Sequence, residues 1–289
     1  MDISLSELSK VKGIGKKTIQ HIREYKLADE GYISEYDENL HLDRDSVNQG
    51  DCLELMNGIE DKSVDMILAD LPYGTTSGNL DWDEVINLKY LWKHYLRVIK
   101  DEGAIVLTAT HPFTIDLIMS KRNLFRYQWV WKKNKPTGFT NAKCRPLKEY
   151  EDILIFSKSK TKSNQFNNKS MNYFPQGLIE SGEKKNGKPP SAITCDRGNS
   201  NKEYIQTHTN YPTNIIEFDV PANNIHPTQK PVKLFEYLIK TYTNEGDLVL
   251  DNVAGSGTTG VACQNTNRDY ILIEKEQKYI NVIKERLKN

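Results

Sequence analysis

Near its C-terminus the chain reads Leu248-Val249-Leu250-Asp251-Asn252-Val253-Ala254-Gly255-Ser256-Gly257-Thr258-Thr259-Gly260. Three aliphatic residues in a row predict a buried strand, and residues 261–264 predict a helix. A strand that passes into a helix through a glycine turn is the building unit of a wound α/β sheet. Its turn leaves backbone bare enough for a ligand to lie against it. A further strand, Tyr270-Ile271-Leu272-Ile273, follows and ends in the acid Glu274.

The same design appears earlier. Residues 64–69 form an apolar run, and Asp70-Leu71-Pro72-Tyr73-Gly74 follows at once. A carboxylate and a flat ring therefore sit on a stiff loop past the carboxyl end of a strand, where open α/β sheets bind ligands. Between and around these two junctions the periodicity alternates. A short strand enters a turn at Val47-Asn48-Gln49-Gly50-Asp51-Cys52, and helices are predicted over 53–59, 85–100 and 112–119. Strands are predicted over 104–109 and 127–131, and a helix runs through Leu234, Leu238 and Ile239. The alternation predicts an α/β fold with a Rossmann-like wound, mostly parallel sheet.

The 289 residues suffice for one large α/β domain with a small appendage. Lysines and arginines equal aspartates and glutamates at 39 each, so no global field draws the chain to nucleic acid. The charge is uneven, however. Residues 131–202 hold roughly 15 basic against 6 acidic residues, including Lys132, Lys133, Lys143 and Arg145, with Phe139, Phe166, Tyr173 and Phe174 interleaved. Basic, polar and aromatic loops suit contacts to phosphates and base edges. The strand-like piece 153–156 within this stretch is expected to belong to the sheet. The four cysteines, Cys52, Cys144, Cys195 and Cys263, are scattered, which predicts reduced thiols and no metal site. The polar N-terminus does not read as a signal peptide, and no apolar run nears the roughly 20 residues that span a bilayer. A cytoplasmic protein without membrane contact is expected.

Residues 1–26 read as a separate helical hairpin turning at Gly13-Ile14-Gly15, with Lys16 and Lys17 beside the turn. Amides at such a turn and at the next helix start can face a phosphate. The hairpin resembles the helix-hairpin-helix module, which implies a contact to DNA backbone; an ordinary packing unit is the alternative. Residues 27–45 are a polar connector.

The Asp70-Leu71-Pro72-Tyr73 stretch resembles the catalytic motif of the S-adenosylmethionine-dependent amino methyltransferases of DNA, with Leu71 in place of a usual proline. His226-Pro227-Thr228-Gln229-Lys230-Pro231 resembles a second signature of that family, and the loop from Asp251 to Thr259 a third, with Asn252 and Val253 replacing a common Pro-Phe. The order of the three is that of the permuted β group. The resemblance implies a core of class I methyltransferase type over 46–130 and 203–289, and a target-recognition insertion over 131–202. It implies that the Asp70 carboxylate and the Leu71 carbonyl accept from an exocyclic amine, while Pro72 stiffens the loop and Tyr73 stacks on a flipped base. It assigns S-adenosylmethionine to Asp51, Cys52, Asp70, Thr228, Lys230, Asp251, Gly255, Ser256, Gly257, Thr258 and Glu274. Helix capping is the competing role for Asp51.

The acid at position 70 points to adenine N6, with cytosine N4 as the alternative. Double-stranded DNA is the implied partner, which would bring the protein to the nucleoid. A cognate restriction endonuclease is an implied second partner, and a homodimer is compatible with the sequence. Two other classes compete. Gly255-x-Gly257-x-x-Gly260 also fits a nicotinamide oxidoreductase, although only some 30 residues follow it, too few for the rest of a dinucleotide fold. A DNA-binding protein without catalysis is the other.

Overall fold

The computed structural model describes residues 35–73, 85–161, 170–186, 203–221 and 229–288. Its elements are the strands β1 (Ser46–Gln49), β2 (Val64–Ala69), β3 (Ile99–Ala109), β4 (Phe125–Thr137), β5 (Lys148–Phe156), β6 (Ile179–Asn186), β7 (Glu203–Thr209), β8 (Ile215–Phe218), β9 (Leu248–Asp251) and β10 (Asp269–Glu274). The helices are α1 (Cys52–Leu55), α2 (Leu88–Val98), α3 (Phe113–Ser120), α4 (Val232–Tyr242), α5 (Thr258–Asn265) and α6 (Gln277–Arg286). Among the described residues, eight strands form one sheet in the order β1-β10-β9-β2-β3-β5-β4-β8, and β6 pairs with β7 apart from it.

The strands from β1 to β3 across the sheet are all parallel; β5 alone runs against its neighbours. Every residue of β2 is buried, and the two faces of the sheet explain why. Ile67 and Ala69 pack with Leu91, Trp92 and Tyr95 of α2 on one face. Met66 and Leu68 pack with Leu234, Leu238 and Tyr242 of α4 on the other. A strand covered on both sides is apolar along nearly its whole length rather than at alternate positions, and the one acid within β2, Asp65, is buried with partners of its own.

Chain order places the ligand crevice. From β2 the chain proceeds to β3 on one side, whereas from β9 it proceeds to β10 on the other. The order of winding therefore reverses between the parallel strands β2 and β9, and open α/β sheets bind ligands outside the carboxyl ends at such a point. Asp70 and Asp251 end those two neighbouring strands. Asp65 reinforces the pair from the far end: its carboxylate accepts from the Leu248 amide at 3.0 Å and from Lys100 at 2.6 Å.

The sheet also reaches into the stretch expected to be an insertion. β4 continues to Thr137 and β5 occupies 148–156, so the described residues of 131–202 outside the main sheet are the 138–147 turn, the segment after β5, and β6. The helix expected over 53–59 is shorter, one turn of α-helix followed by a 3-10 turn at Met56–Gly58. The N-terminal hairpin, with Gly13, Gly15, Lys16 and Lys17, lies outside the described residues, as does Thr228. No helix among the described residues is long and apolar enough to cross a membrane.

Candidate active site

Asp70 follows β2 directly, and three side chains from three other places converge on it. Thr108, fully buried near the end of β3, donates to Oδ1. The Tyr73 hydroxyl donates to the same oxygen at 2.6 Å and lies 3.2 Å from the Thr108 hydroxyl. The Lys230 ammonium, just ahead of α4, donates to Oδ2 at 2.6 Å. Lys230 is only 6 % exposed and stands also 3.3 Å from Glu151 Oε2. Glu151 in turn holds Lys133 at 2.5 Å through Oε1. Four charges thus alternate in sign from Lys133 to Asp70 across β4, β5, the segment before α4 and the β2 loop. Burial pulls the Lys230 pKa down, but the Asp70 and Glu151 charges outweigh it and leave it above lysine's ordinary value.

The loop carrying this carboxylate is anchored by its neighbours. Leu71, the departure from the usual proline, is buried in the apolar cluster that contains Tyr90 and Phe113. Burial holds it where a ring would otherwise have restricted the backbone. The Tyr73 ring is 5.5 Å from that of Phe113, centroid to centroid, tilted by 38°. Burial raises the Tyr73 pKa well above that of free tyrosine, with the Asp70 and Glu151 charges adding to it. The hydroxyl is therefore a donor at neutral pH.

The second half of the site is the β9–α5 turn. Asp251 Oδ1 accepts from the Val253 amide at 3.1 Å, and Oδ2 accepts from the Thr259 hydroxyl. Both oxygens help to shape the turn. Burial raises the Asp251 pKa to about 7 against the lowering effect of those two bonds, and the Asp70 and Glu274 charges raise it further. Glu274, at the end of β10, accepts from the Gly255 amide at 2.8 Å and from the Glu276 amide at 2.8 Å. Each oxygen keeps lone pairs for a further donor.

Gly255 and Gly257 both adopt left-handed backbone, at φ 53° and 77°. They differ in what surrounds them. A Cβ on Gly257 would stand 2.9 Å from Ile283 of α6, whereas one on Gly255 would meet nothing among the described residues nearer than the Val253 carbonyl oxygen at 4.0 Å. Gly257 is thus a packing requirement, and Gly255 faces an open cradle. Beside it, buried Asn252 accepts from the Tyr95 hydroxyl at 2.6 Å while its Nδ2 has no hydrogen-bond partner among the described residues. An open cradle flanked by a carboxylate and an unused amide donor fits a nucleoside-bearing ligand such as S-adenosylmethionine.

Other expected site residues fall as follows. Asp51 caps α1, its side chain accepting from the Leu53 amide at 2.9 Å. Cys52 and Thr258 are buried at the starts of α1 and α5. Ser256 accepts from Arg286 through its hydroxyl at 3.2 Å and its carbonyl at 2.6 Å, which ties the turn to α6. Lys230 and Asp70, both expected at the cofactor, are paired with each other. Lys133, expected against DNA, is buried, paired with Glu151 and lies 5.0 Å over the Trp131 ring; a lysine so placed is withdrawn from solvent phosphates. Lys132 is half-exposed and pairs with Glu217 at 2.9 Å, while Lys143 and Arg145 are exposed in the turn after β4.

Thr108 and Glu151 were not singled out in the sequence. Glu151 and Asp152 are two acids directly ahead of the apolar half of β5, Ile153 to Phe156, which is a signal. It becomes readable only if β5 is known to run antiparallel, bringing its head to the catalytic edge.

Comparison with known proteins agrees with this geometry. Residues 64–285 match the family model for N6/N4 methyltransferases, described as DNA methylase. The DNA adenine methyltransferase YhdJ of Escherichia coli (strain K12) is 31 % identical over 253 residues, covering 82 % of this chain and 80 % of that one. The type II methyltransferase M.HinfI of Haemophilus influenzae is 30 % identical over 281 residues, covering 87 % of this chain and 70 % of that one. Among solved structures, the M1.HpyAVI–SAM complex aligns with TM-score 0.54 at 23 % identity, over 84 % of this chain and 99 % of that one. The cytosine-N4-specific PvuII DNA methyltransferase aligns with TM-score 0.58 at 18 % identity, over 85 % of this chain and 87 % of that one. At such identities the structural likeness speaks for the fold.

Proposed function

The chain belongs to the DNA methylase family, and from that premise we propose that it methylates adenine N6 at a specific site in double-stranded DNA. It is a DNA methyltransferase that uses S-adenosylmethionine. The observation that carries the proposal is the Asp70 carboxylate, fixed at the winding's reversal point by Thr108, Tyr73 and Lys230 and adjacent to the Gly255 cradle. The acid at position 70 and the likeness to a DNA adenine methyltransferase favour adenine over cytosine.

An adenine amine inside a duplex is out of reach, so the base must leave the stack. Its nitrogen lone pair is conjugated with the ring and is a weak nucleophile. Asp70 and the Leu71 carbonyl accept hydrogen bonds from the two amino hydrogens and draw the nitrogen toward a tetrahedral shape, which frees the lone pair. The one proton that the nitrogen must lose on methylation leaves through the Asp70 carboxylate. Thr108 and Tyr73 fix the orientation of the carboxylate, so that little reorganisation is needed at the moment of reaction. The Tyr73 ring offers a face for the base, with Phe113 behind it. The bound S-adenosylmethionine supplies the electrophilic methyl group. Gly255, Asn252, Asp51 and Glu274 are the residues that would hold it, with Asp251 and Thr259 shaping their turn.

Target recognition is assigned to the parts of 131–202 outside the main sheet, where Lys143 and Arg145 are exposed, with Lys132 at the rim. Residues 46–130 and 203–289, together with the rest of β4 and with β5, form the core. The 1–26 hairpin, joined by the 27–45 connector, adds backbone contacts that tether the enzyme to DNA at its place of action. A restriction endonuclease of the same specificity and a second copy of the chain are the protein partners that this reading implies. The test is Asp70→Ala: methyl incorporation into DNA should fall on the order of a thousandfold or more, with cofactor affinity within a few-fold of the parent. Unchanged incorporation would overturn the assignment.

A further inference from the structure

In the arrangement described, the acceptor that the amine requires is already engaged. Asp70 Oδ1 carries two neutral donors, Thr108 and Tyr73, which fix the carboxylate without cancelling its charge. Oδ2 carries an ammonium at 2.6 Å. A cation that close draws electron density from the oxygen on which an incoming amine must depend. For the amine to bond well at Oδ2, the ammonium has to yield.

Lys230 has somewhere to go. Glu151 Oε2 is 3.3 Å away, within ion-pair reach, whereas Oε1 is committed to Lys133. A displacement of about half an ångström converts that approach into a full charge-assisted hydrogen bond. The movement is inexpensive electrostatically. Two lysines and two carboxylates, none more than 22 % exposed, remain a neutral group of four, and no charge is left alone in a shielded site. Pro231 follows Lys230 and caps α4, so the backbone stays in place while the flexible side chain moves.

We propose that Lys230 is a movable counter-ion, shared between Asp70 and Glu151, which the arriving base amine shifts onto Glu151. This rests on the methyl-transfer reading above and adds a positioning residue to it: Glu151 acts on the base only through Lys230. Without the Glu151 charge, Lys230 stays on Asp70 and competes with the amine.

The test is a double-mutant cycle on the full chain, with DNA from a methylase-deficient host and radiolabelled S-adenosylmethionine. Glu151→Gln should lower kcat about tenfold, leaving KM for DNA and the cofactor dissociation constant by calorimetry within about twofold. In a Lys230→Gln background the same change should not slow the reaction, because the competitor is gone. Equal losses in both backgrounds, or no loss in either, overturn the proposal. Should Glu151→Gln fail to fold, Glu151→Asp keeps the charge but shortens its reach. Its loss of a few-fold should likewise vanish beside Lys230→Gln, and an equal loss in both backgrounds again overturns the idea. A parental chain that transfers no methyl group would instead overturn the reading on which this one rests.

Discussion

Asp70 is held by donors of two kinds, and the difference bears on what each substitution does. Thr108 is buried and its hydroxyl is committed to the carboxylate, so its role is orientation. Thr108→Val keeps the shape and removes one donor. It should lower kcat about tenfold with cofactor affinity unchanged, as steady-state kinetics beside a calorimetric titration can show. A variant with parental kcat would mean that Tyr73 alone suffices to hold Oδ1. Lysines were the residues least readable from the sequence. A lysine in a basic stretch suggests an exposed cation, yet Lys133 and Lys230 are both buried because their carboxylate partners arrive from distant parts of the chain. Pairing across such separations leaves no mark in local sequence.

Among the elements, the β9–α5 turn separates two kinds of glycine that the sequence presents alike. Gly257→Ala places a methyl group 2.9 Å from Ile283 in left-handed backbone, which should cost about 2–4 kcal/mol of stability. Gly255→Ala carries the backbone penalty alone, about 1–2 kcal/mol, since its Cβ enters open space. That space is where the cofactor is proposed to lie, so Gly255→Ala should weaken S-adenosylmethionine binding by far more than its effect on melting. Thermal unfolding with a binding titration distinguishes the two, and equal cofactor affinities in Gly255→Ala and the parent would remove the cradle from the site. β2 and β9 were legible because Met66 to Ala69 and Leu248 to Leu250 are unbroken apolar runs that lead directly into Asp70 and Asp251. β5 was legible as a strand but not in direction, since a continuous apolar run such as Ile153 to Phe156 reads the same either way. Its direction is what delivers Glu151.

For the whole molecule, two buried titratable groups oppose each other in acid. Asp251 has its pKa raised to about 7, mainly by burial, so the folded state holds its proton more tightly than the unfolded one. Its contribution is fully present below about pH 4 and is lost as pH rises toward 7. His94 has its pKa lowered to about 4, by burial and then by Arg97 and Lys93. Its contribution is fully present above the ordinary histidine value and is lost as pH falls from about 6.5 toward 4. Between pH 4 and 6.5 the two slopes nearly cancel. Asp251→Asn should therefore expose the histidine slope, with the melting temperature rising from pH 4 to 6.5 more steeply than in the parent. Parallel melting curves for the two proteins would place the acid sensitivity elsewhere.

The central claim is that one carboxylate at the winding's reversal point holds the adenine amine for methyl transfer from S-adenosylmethionine. Its most direct test is base-resolved sequencing of DNA from methylase-deficient cells expressing either this chain or Asp70→Ala. The account predicts N6-methyladenine at one defined sequence with the parental chain and none with the variant. N4-methylcytosine in place of it, or methylation that persists in Asp70→Ala, would contradict that claim.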